Sequence, residues 1–131
     1  MAGVETSAVT QVKKEEKEQL EKATNVELYV RHYFVDTPVM TKIAYCESRF
    51  RQYDKGGKIL RGEVNRADVG VMQINEYYHL ERSKKLGLDI YTLDGNLAYA
   101  RDLYEREGAR PWMSSSPCWA KFTLADEIAK N

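Results

Sequence analysis

A mainly helical α+β fold is predicted by three features of the sequence. Apolar residues recur at helical spacing from Val26 to Phe34 and again from Leu97 to Tyr104. Start and stop signals bracket these and two further stretches, at Pro38, Gly87 and Gly108. Between the second and third stretches, Gly56-Gly57 separates two short segments as a hairpin turn would, and this is the β candidate. The chain has 131 residues, of which 43% are apolar, a size that suits one domain with a modest core.

In chain order, residues 1–24 divide into a small-residue start, MAGVETSAVTQV, and a charged block, KKEEKEQLEK. The block has no apolar stripe to dock it, so it is expected to be a solvated helix or frayed lead-in, set apart from a domain over 25–131. No apolar segment of the signal-peptide kind precedes it, and an exported form would have had its signal removed. No run approaches the roughly 20 apolar residues of a membrane span.

From Asn25, a potential N-cap, Val26, Tyr29, Val30, Tyr33 and Phe34 mark a core-facing helix, with both tyrosines read as core. Asp36-Thr37-Pro38 opens a second helix running to Glu47, with Thr37 as its cap and proline where no hydrogen bond is lost. The segment RQYDKGGKILRGEVNRADVGVMQIN follows as the β excursion. Glu76 to Leu86 reads as a short helix closed by Gly87, and Asp94-Gly95-Asn96 opens a longer one that Gly108 ends. The stretch ARPWMSSSPCWAKF reads as loop, before a last short helix from about Thr123.

Charge excludes one function class: 20 basic residues balance 20 acidic ones, so no electrostatic footprint for nucleic acid is present. Cys46 and Cys118, with only His32 and His79 beside them, make no zinc-ligand set, and neither metal nor cofactor is expected. Cysteine count alone leaves open one long-range disulfide in an oxidising compartment or two small buried thiols.

Two places carry the chemistry. Glu47 ends an apolar helical turn, Ile43-Ala44-Tyr45-Cys46, where hydrophobic surroundings disfavour the charged carboxylate and suit a general acid. Further along, in Asp68-Val69-Gly70-Val71-Met72-Gln73-Ile74-Asn75, Gly70 permits close backbone approach. Met72 and Ile74 alternate there with Gln73 and Asn75, so the polar side chains can face a cleft while the apolar ones face the core. Amides and carboxylates beside aromatic faces suit a neutral polyhydroxylated ligand.

Cys46-Glu47-Ser48-Arg49-Phe50 followed by the Asp68 to Asn75 element resembles the paired signature of the lysozyme-like superfamily. The likeness is closest to the SLT-domain lytic transglycosylases, including the small enzymes that accompany secretion and conjugation systems. In that family an E-S-x-F element carries the catalytic glutamate and a G-[LIV]-M-Q-I element lines the glycan groove. The resemblance covers about residues 37–112. It implies a lysozyme-like fold and cleavage of the β-1,4 bond between N-acetylmuramic acid and N-acetylglucosamine in peptidoglycan. Glu47 would protonate the glycosidic oxygen, with Ser48 orienting it or the substrate. Gly70, the Met72 backbone, Gln73 and Asn75 would line the subsites. Glu76-Tyr77-Tyr78-His79 resembles the family's aromatic-histidine stretch, which brings in Tyr78 and His79. Asn96-Leu97-Ala98-Tyr99-Ala100 resembles its Asn-initiated helix, which brings in Tyr99. Read without the resemblance, Asn96 is a cap, Tyr99 core and His79 a surface or hydrogen-bonded residue.

The sequence also departs from that pattern. The family's A-Y-N element is missing, and ARPWMSSSPCW stands where it would be expected. Trp112 there offers either a sugar-stacking face or a core residue, Arg110 and Ser114 to Ser116 offer polar contacts, and Trp119 reads as structural. Asp68 is placed like the second carboxylate of animal-type lysozymes, whose D-x-G-[IL]-L-Q-I-N element is similar to this stretch. Two mechanisms follow from that likeness. With Asp68 across the groove, a retaining hydrolysis uses both carboxylates. With Asp68 held locally, Glu47 serves alone as acid and then base, and the muramyl 6-hydroxyl closes a 1,6-anhydro product. The second is favoured because G-V-M-Q-I is the more transglycosylase-like form.

The resemblance further implies an extracytoplasmic location, a Cys46–Cys118 disulfide and a monomer acting on glycan strands. Two other classes compete with it. One is a non-catalytic glycan-binding or secretion-scaffold module of the same shape; the other is a helical interaction protein assembled through its Lys/Glu segment.

Overall fold

The computed structural model describes residues 25–121. The charged lead-in and the helix expected from Thr123 lie outside the described residues. Within them the architecture is mainly helical, with a small antiparallel β excursion between the second and third helices.

Helix α1 (Asn25–Tyr33) buries Val30, and Phe34 follows it into the core at the helix end. Tyr33 is partly buried, as its helical position predicts, but Tyr29 is exposed and its hydroxyl donates to Asp94. Arg101 straps the connection to the next helix: its guanidinium donates to Asp36 (2.9 Å) and to the Tyr33 carbonyl (2.8 Å), over the Phe34 ring. Helix α2 (Pro38–Ser48) starts on proline, as expected, and places Met40, Ile43 and Ala44 in the core. Thr37 makes no side-chain cap, since its hydroxyl turns toward Asp36 (3.3 Å).

The excursion begins with a hairpin across Gly56-Gly57, where a single bridge joins Tyr53 and Ile59. Leu60 to Gly62 then pairs with Asp68 to Gly70 through Gly62 N–H to Asp68 O (2.9 Å) and Gly70 N–H to Leu60 O (2.9 Å). Strands β1 (Asp68–Val69) and β2 (Ile74–Asn75) close it in antiparallel register, Asp68 opposite Asn75. Strands this short would not stand alone, and packing against the helices supplies their stability.

Helix α3 (Glu76–Lys85) is capped by the Asn75 side chain, which accepts from Tyr78 N–H (3.1 Å), and Gly87 follows its end at φ 72°. Helix α4 (Leu93–Glu107) is the central element, with Leu97, Tyr99, Ala100 and Leu103 buried. Its cap is Thr92, whose hydroxyl accepts from Gly95 N–H (3.0 Å), so the start lies slightly before the Asp94-Gly95-Asn96 signal. Gly95 is there for closeness: a Cβ would stand 1.8 Å from the Asp89 carbonyl oxygen.

The expected loop after Gly108 is instead largely helical. Residues Arg110–Ser115 form a 3-10 helix, and 116–121 are α-helical. The serines and prolines that signal a loop sit at the junction of two short helical turns, fastened by Trp112, which is 3% exposed. This segment packs on both α4 and α2. Cys118 forms a disulfide with Cys46 at a Cα–Cα distance of 6.0 Å, joining the end of α2 to the C-terminal turn.

Candidate active site

The last turn of α2 faces the β excursion across a cleft of about 670 Å³. Glu47 and Ser48 from α2 and Asp68 and Gln73 from the β excursion line it, together with Arg51, Arg61 and Arg66. Backbone geometry concentrates here. Arg49 (φ 57°), Phe50 (φ 61°) and Gln73 (φ 51°) are the non-glycine residues with left-handed backbone among the described residues, and all three line or flank the cleft. Such a conformation costs on the order of 1–3 kcal/mol per residue, so packing must impose it. Its effect is to stop α2 directly after Glu47-Ser48 and turn the chain into the β excursion, with Arg49 N–H closing on Tyr45 O (2.8 Å).

Glu47 is half-buried, and Oε1 accepts a hydrogen bond from the Ser115 hydroxyl (2.7 Å). No basic side chain pairs with it among the described residues. Burial lifts its carboxyl pKa above the ordinary range, the negative charge of Asp68 adds to the lift, and the Ser115 bond opposes it without prevailing. An upward shift is the direction that a general acid needs. A separate hollow of about 580 Å³ between α1 and α2 is lined by Glu27 and Arg31, but these two neutralise each other in an ion pair of 2.9 Å.

Asp68 shares the Glu47 cleft, and its Oδ1 accepts from the Asn75 side-chain amide (3.0 Å). Gln73 also borders the cleft, with its amide folded back to donate to Gly70 O (3.0 Å).

The other expected ligand contacts are largely engaged within the protein. The Ser48 hydroxyl donates to Ala44 O (3.1 Å) and accepts from Arg51 N–H (3.2 Å), so it terminates the helix rather than orienting Glu47. Gly70, at φ 76°, makes room for protein amides and not for a ligand: a Cβ there would meet Asn96 Nδ2 at 2.4 Å and Gln52 Oε1 at 2.7 Å. Met72 is buried, its N–H donating to Asn96 Oδ1 (2.9 Å) and its carbonyl accepting from Trp112 Nε1 (2.9 Å), which leaves no backbone group for a subsite. Asn75 caps α3 and holds Asp68. Tyr99 is fully buried, and its hydroxyl meets His79 Nδ1 at 2.7 Å. Burial lowers the pKa of that histidine. Trp112 resolves as core, and its ring is not presented to the cleft. Tyr78 is 74% exposed and packs edge-on against Tyr77, outside the Glu47 cleft.

Three residues build the site in ways that the sequence reading does not give: Gln52 is not singled out, Asn96 reads as a cap or as part of a family-like helix, and Ser115 only as one of three polar serines. Gln52 and Asn96 are buried amides that between them hold the 69–72 turn: Gln52 Oε1 accepts from Val71 N–H (2.8 Å), and Asn96 Nδ2 donates to Val69 O (3.0 Å). A side-chain amide has a donor and an acceptor, which is what a buried turn with unpaired N–H and C=O groups requires. Ser115 is the third; the triple serine flagged a polar edge but not which hydroxyl reaches Glu47.

No protein-family model, no curated protein and no solved structure matches the chain. Among the described residues, no cluster of His, Cys, Asp and Glu could hold a metal ion, and no helix is long and apolar enough to cross a membrane.

Proposed function

We propose that this chain is a peptidoglycan lytic transglycosylase of the lysozyme-like, SLT-domain kind. It cleaves the β-1,4 bond between N-acetylmuramic acid and N-acetylglucosamine, with Glu47 acting as acid and then as base. The observation that carries the reading is the state of Glu47: a carboxyl lining a cleft, unpaired with any cation among the described residues and pushed toward its protonated form by burial. The E-S-x-F and G-V-M-Q-I elements supply the motif side, and the cleft has the volume of a site for a small ligand or one segment of a polymer. A disulfide beside the acid is consistent with action outside the cytoplasm, where the wall polymer lies.

Asp68 favours a second reading in one respect, because it shares the cleft and its charge acts on Glu47. A hydrolytic muramidase would use it to stabilise or capture the oxocarbenium ion. Its bond to the Asn75 amide, within the β1–β2 pairing, supports a locally held carboxylate and hence the single-acid mechanism. In that mechanism Glu47 protonates the leaving oxygen. The resulting carboxylate then takes the proton of the muramyl 6-hydroxyl as that oxygen bonds to C1.

Digestion of purified peptidoglycan followed by mass spectrometry tests both readings. Wild-type protein is expected to release 1,6-anhydromuramyl ends, whereas hydrated reducing ends would assign the hydrolase. Glu47→Gln is expected to lose about 10³-fold or more in rate with the fold retained. Near-wild-type rates in that variant would remove the assignment. Asp68→Asn is expected to keep substantial turnover, and a loss as deep as that of Glu47→Gln would make it the second catalytic carboxylate.

A further inference from the structure

Ser115 stands 68 positions from Glu47 in sequence yet within hydrogen-bond distance of it, and its geometry is unusual in one respect. A serine hydroxyl has one proton, and this one has two acceptors in reach: Glu47 Oε1 at 2.7 Å and the Trp112 carbonyl at 3.0 Å. The Trp112 carbonyl also accepts from Trp119 Nε1 (3.1 Å), so it is satisfied without the serine. The shorter bond, to a group that is charged for part of the cycle, is therefore the preferred one. The serine is held in place from several sides. Trp112, three residues before it, is anchored to the Met72 carbonyl, and Cys118, three residues after it, is bonded to the neighbour of Glu47.

We propose that Ser115 is a positioning residue that reserves one oxygen of Glu47 as an acceptor and so assigns the working proton to the other. Oε1 accepts from the serine whether the carboxyl is ionised or neutral, and Oε2 has no hydrogen-bond partner among the described residues. The proton delivered to a leaving oxygen, and the one taken back from an attacking hydroxyl, therefore both pass through Oε2. Ser115 itself exchanges no proton with substrate. This inference rests on Glu47 being the general acid.

The test compares Ser115→Ala and Ser115→Thr in the full chain. The carboxyl of Glu47 is titrated by NMR with ¹³C-labelled glutamate, and peptidoglycan cleavage is followed across pH. Removing the hydroxyl takes away the one influence that lowers the Glu47 pKa, whose opponents are burial and the Asp68 charge from β1. Ser115→Ala is therefore expected to move the Glu47 titration and the basic limb of the rate profile upward together. It should also lower kcat by roughly tenfold while KM stays near its wild-type value. Ser115→Thr, which keeps a hydroxyl, is expected to restore both. A titration unchanged in Ser115→Ala, or a kcat loss that threonine does not rescue, overturns the proposal. A misfolded alanine variant would show in the near-ultraviolet dichroism of Trp112, in which case the threonine variant alone decides by keeping or losing the wild-type profile. If wild-type protein leaves peptidoglycan uncleaved, the enzymatic reading fails separately, and the Glu47 titration alone decides whether Ser115 governs that carboxyl.

Discussion

Glu47 and Glu76 are both helix-borne carboxylates bordering the β excursion, and their neighbours treat them in opposite ways. Glu76, at the start of α3, accepts from Arg61 (2.7 Å) and from the Tyr91 hydroxyl (2.5 Å). Those two bonds hold its carboxyl below the ordinary range, while burial and Glu76 together push the Tyr91 phenol up to about 12. Glu47, at the end of α2, receives one neutral hydroxyl and no cation among the described residues, and burial lifts it. The first arrangement fastens the Leu60 to Gly62 segment to α3 and to the approach to α4. The second leaves a carboxyl whose protonated form is favoured by burial. The cation beside Glu76 depresses its carboxyl pKa, and the deeper burial of Glu47 raises its own.

The sharpest way to break this comparison is to neutralise each glutamate in turn. Glu47→Gln is expected to cost about 10³-fold in glycan cleavage, roughly 4 kcal/mol of barrier, with no loss of folding stability. Because the folded pKa of Glu47 is raised, its ionisation opposes folding as pH climbs from the ordinary carboxylate range through the folded value. The glutamine variant should therefore match or exceed the wild-type urea midpoint at pH 7. A clearly lower midpoint would show that Glu47 is a fastening as well.

The next largest effect concerns what joins α2 to the C-terminal turn. Replacing Cys46 and Cys118 with serine removes a crosslink spanning 72 positions and is expected to cost about 4 kcal/mol in chain-entropy terms, read as a lower urea midpoint under non-reducing conditions. An unchanged midpoint would mean that Trp112 and Trp119 suffice to seat the C-terminal turn.

Smallest is Glu76→Gln, expected to cost about 1–2 kcal/mol at pH 7 because it weakens the bonds to Arg61 and Tyr91. The sign of its pH dependence is opposite to that of Glu47. A depressed folded pKa contributes stability that is present above the unfolded value and is lost as pH falls through the folded one. The penalty should therefore shrink in acid, and a penalty constant from pH 7 to pH 3 would assign it to packing.

Local signals were legible where the physics is local. Pro38 starts α2, Gly87 and Gly108 follow helix ends, and the Gly56-Gly57 turn carries a bridge, because each of these depends on backbone freedom within a few residues. Glu47 after an apolar turn was legible for the same reason. The Asn96 amide, read as a cap, instead faces inward and serves a turn 24 to 27 residues away, a pairing that helical periodicity cannot express. The tail misled in the same manner: three serines and two prolines signal loop, but Trp112 supplies enough burial to hold a 3-10 turn. The Ser115 to Glu47 contact depends on that misread segment, so it stayed out of reach. Proposed subsite residues such as Met72 and Tyr99 proved to be parts of the scaffold because a polar or aromatic residue in a motif does not reveal which face it presents.

The crosslink between positions 46 and 118 also imposes an order on the chain's own biogenesis. The helix bearing Glu47 is synthesised before α4, whereas the serine and the cysteine that finish its surroundings come after it. A chain synthesised only as far as the end of α4 holds the carboxyl without its hydroxyl partner and without its covalent brace. Completion of the pocket is thereby tied to synthesis of the chain through Cys118 and to oxidation of the two thiols.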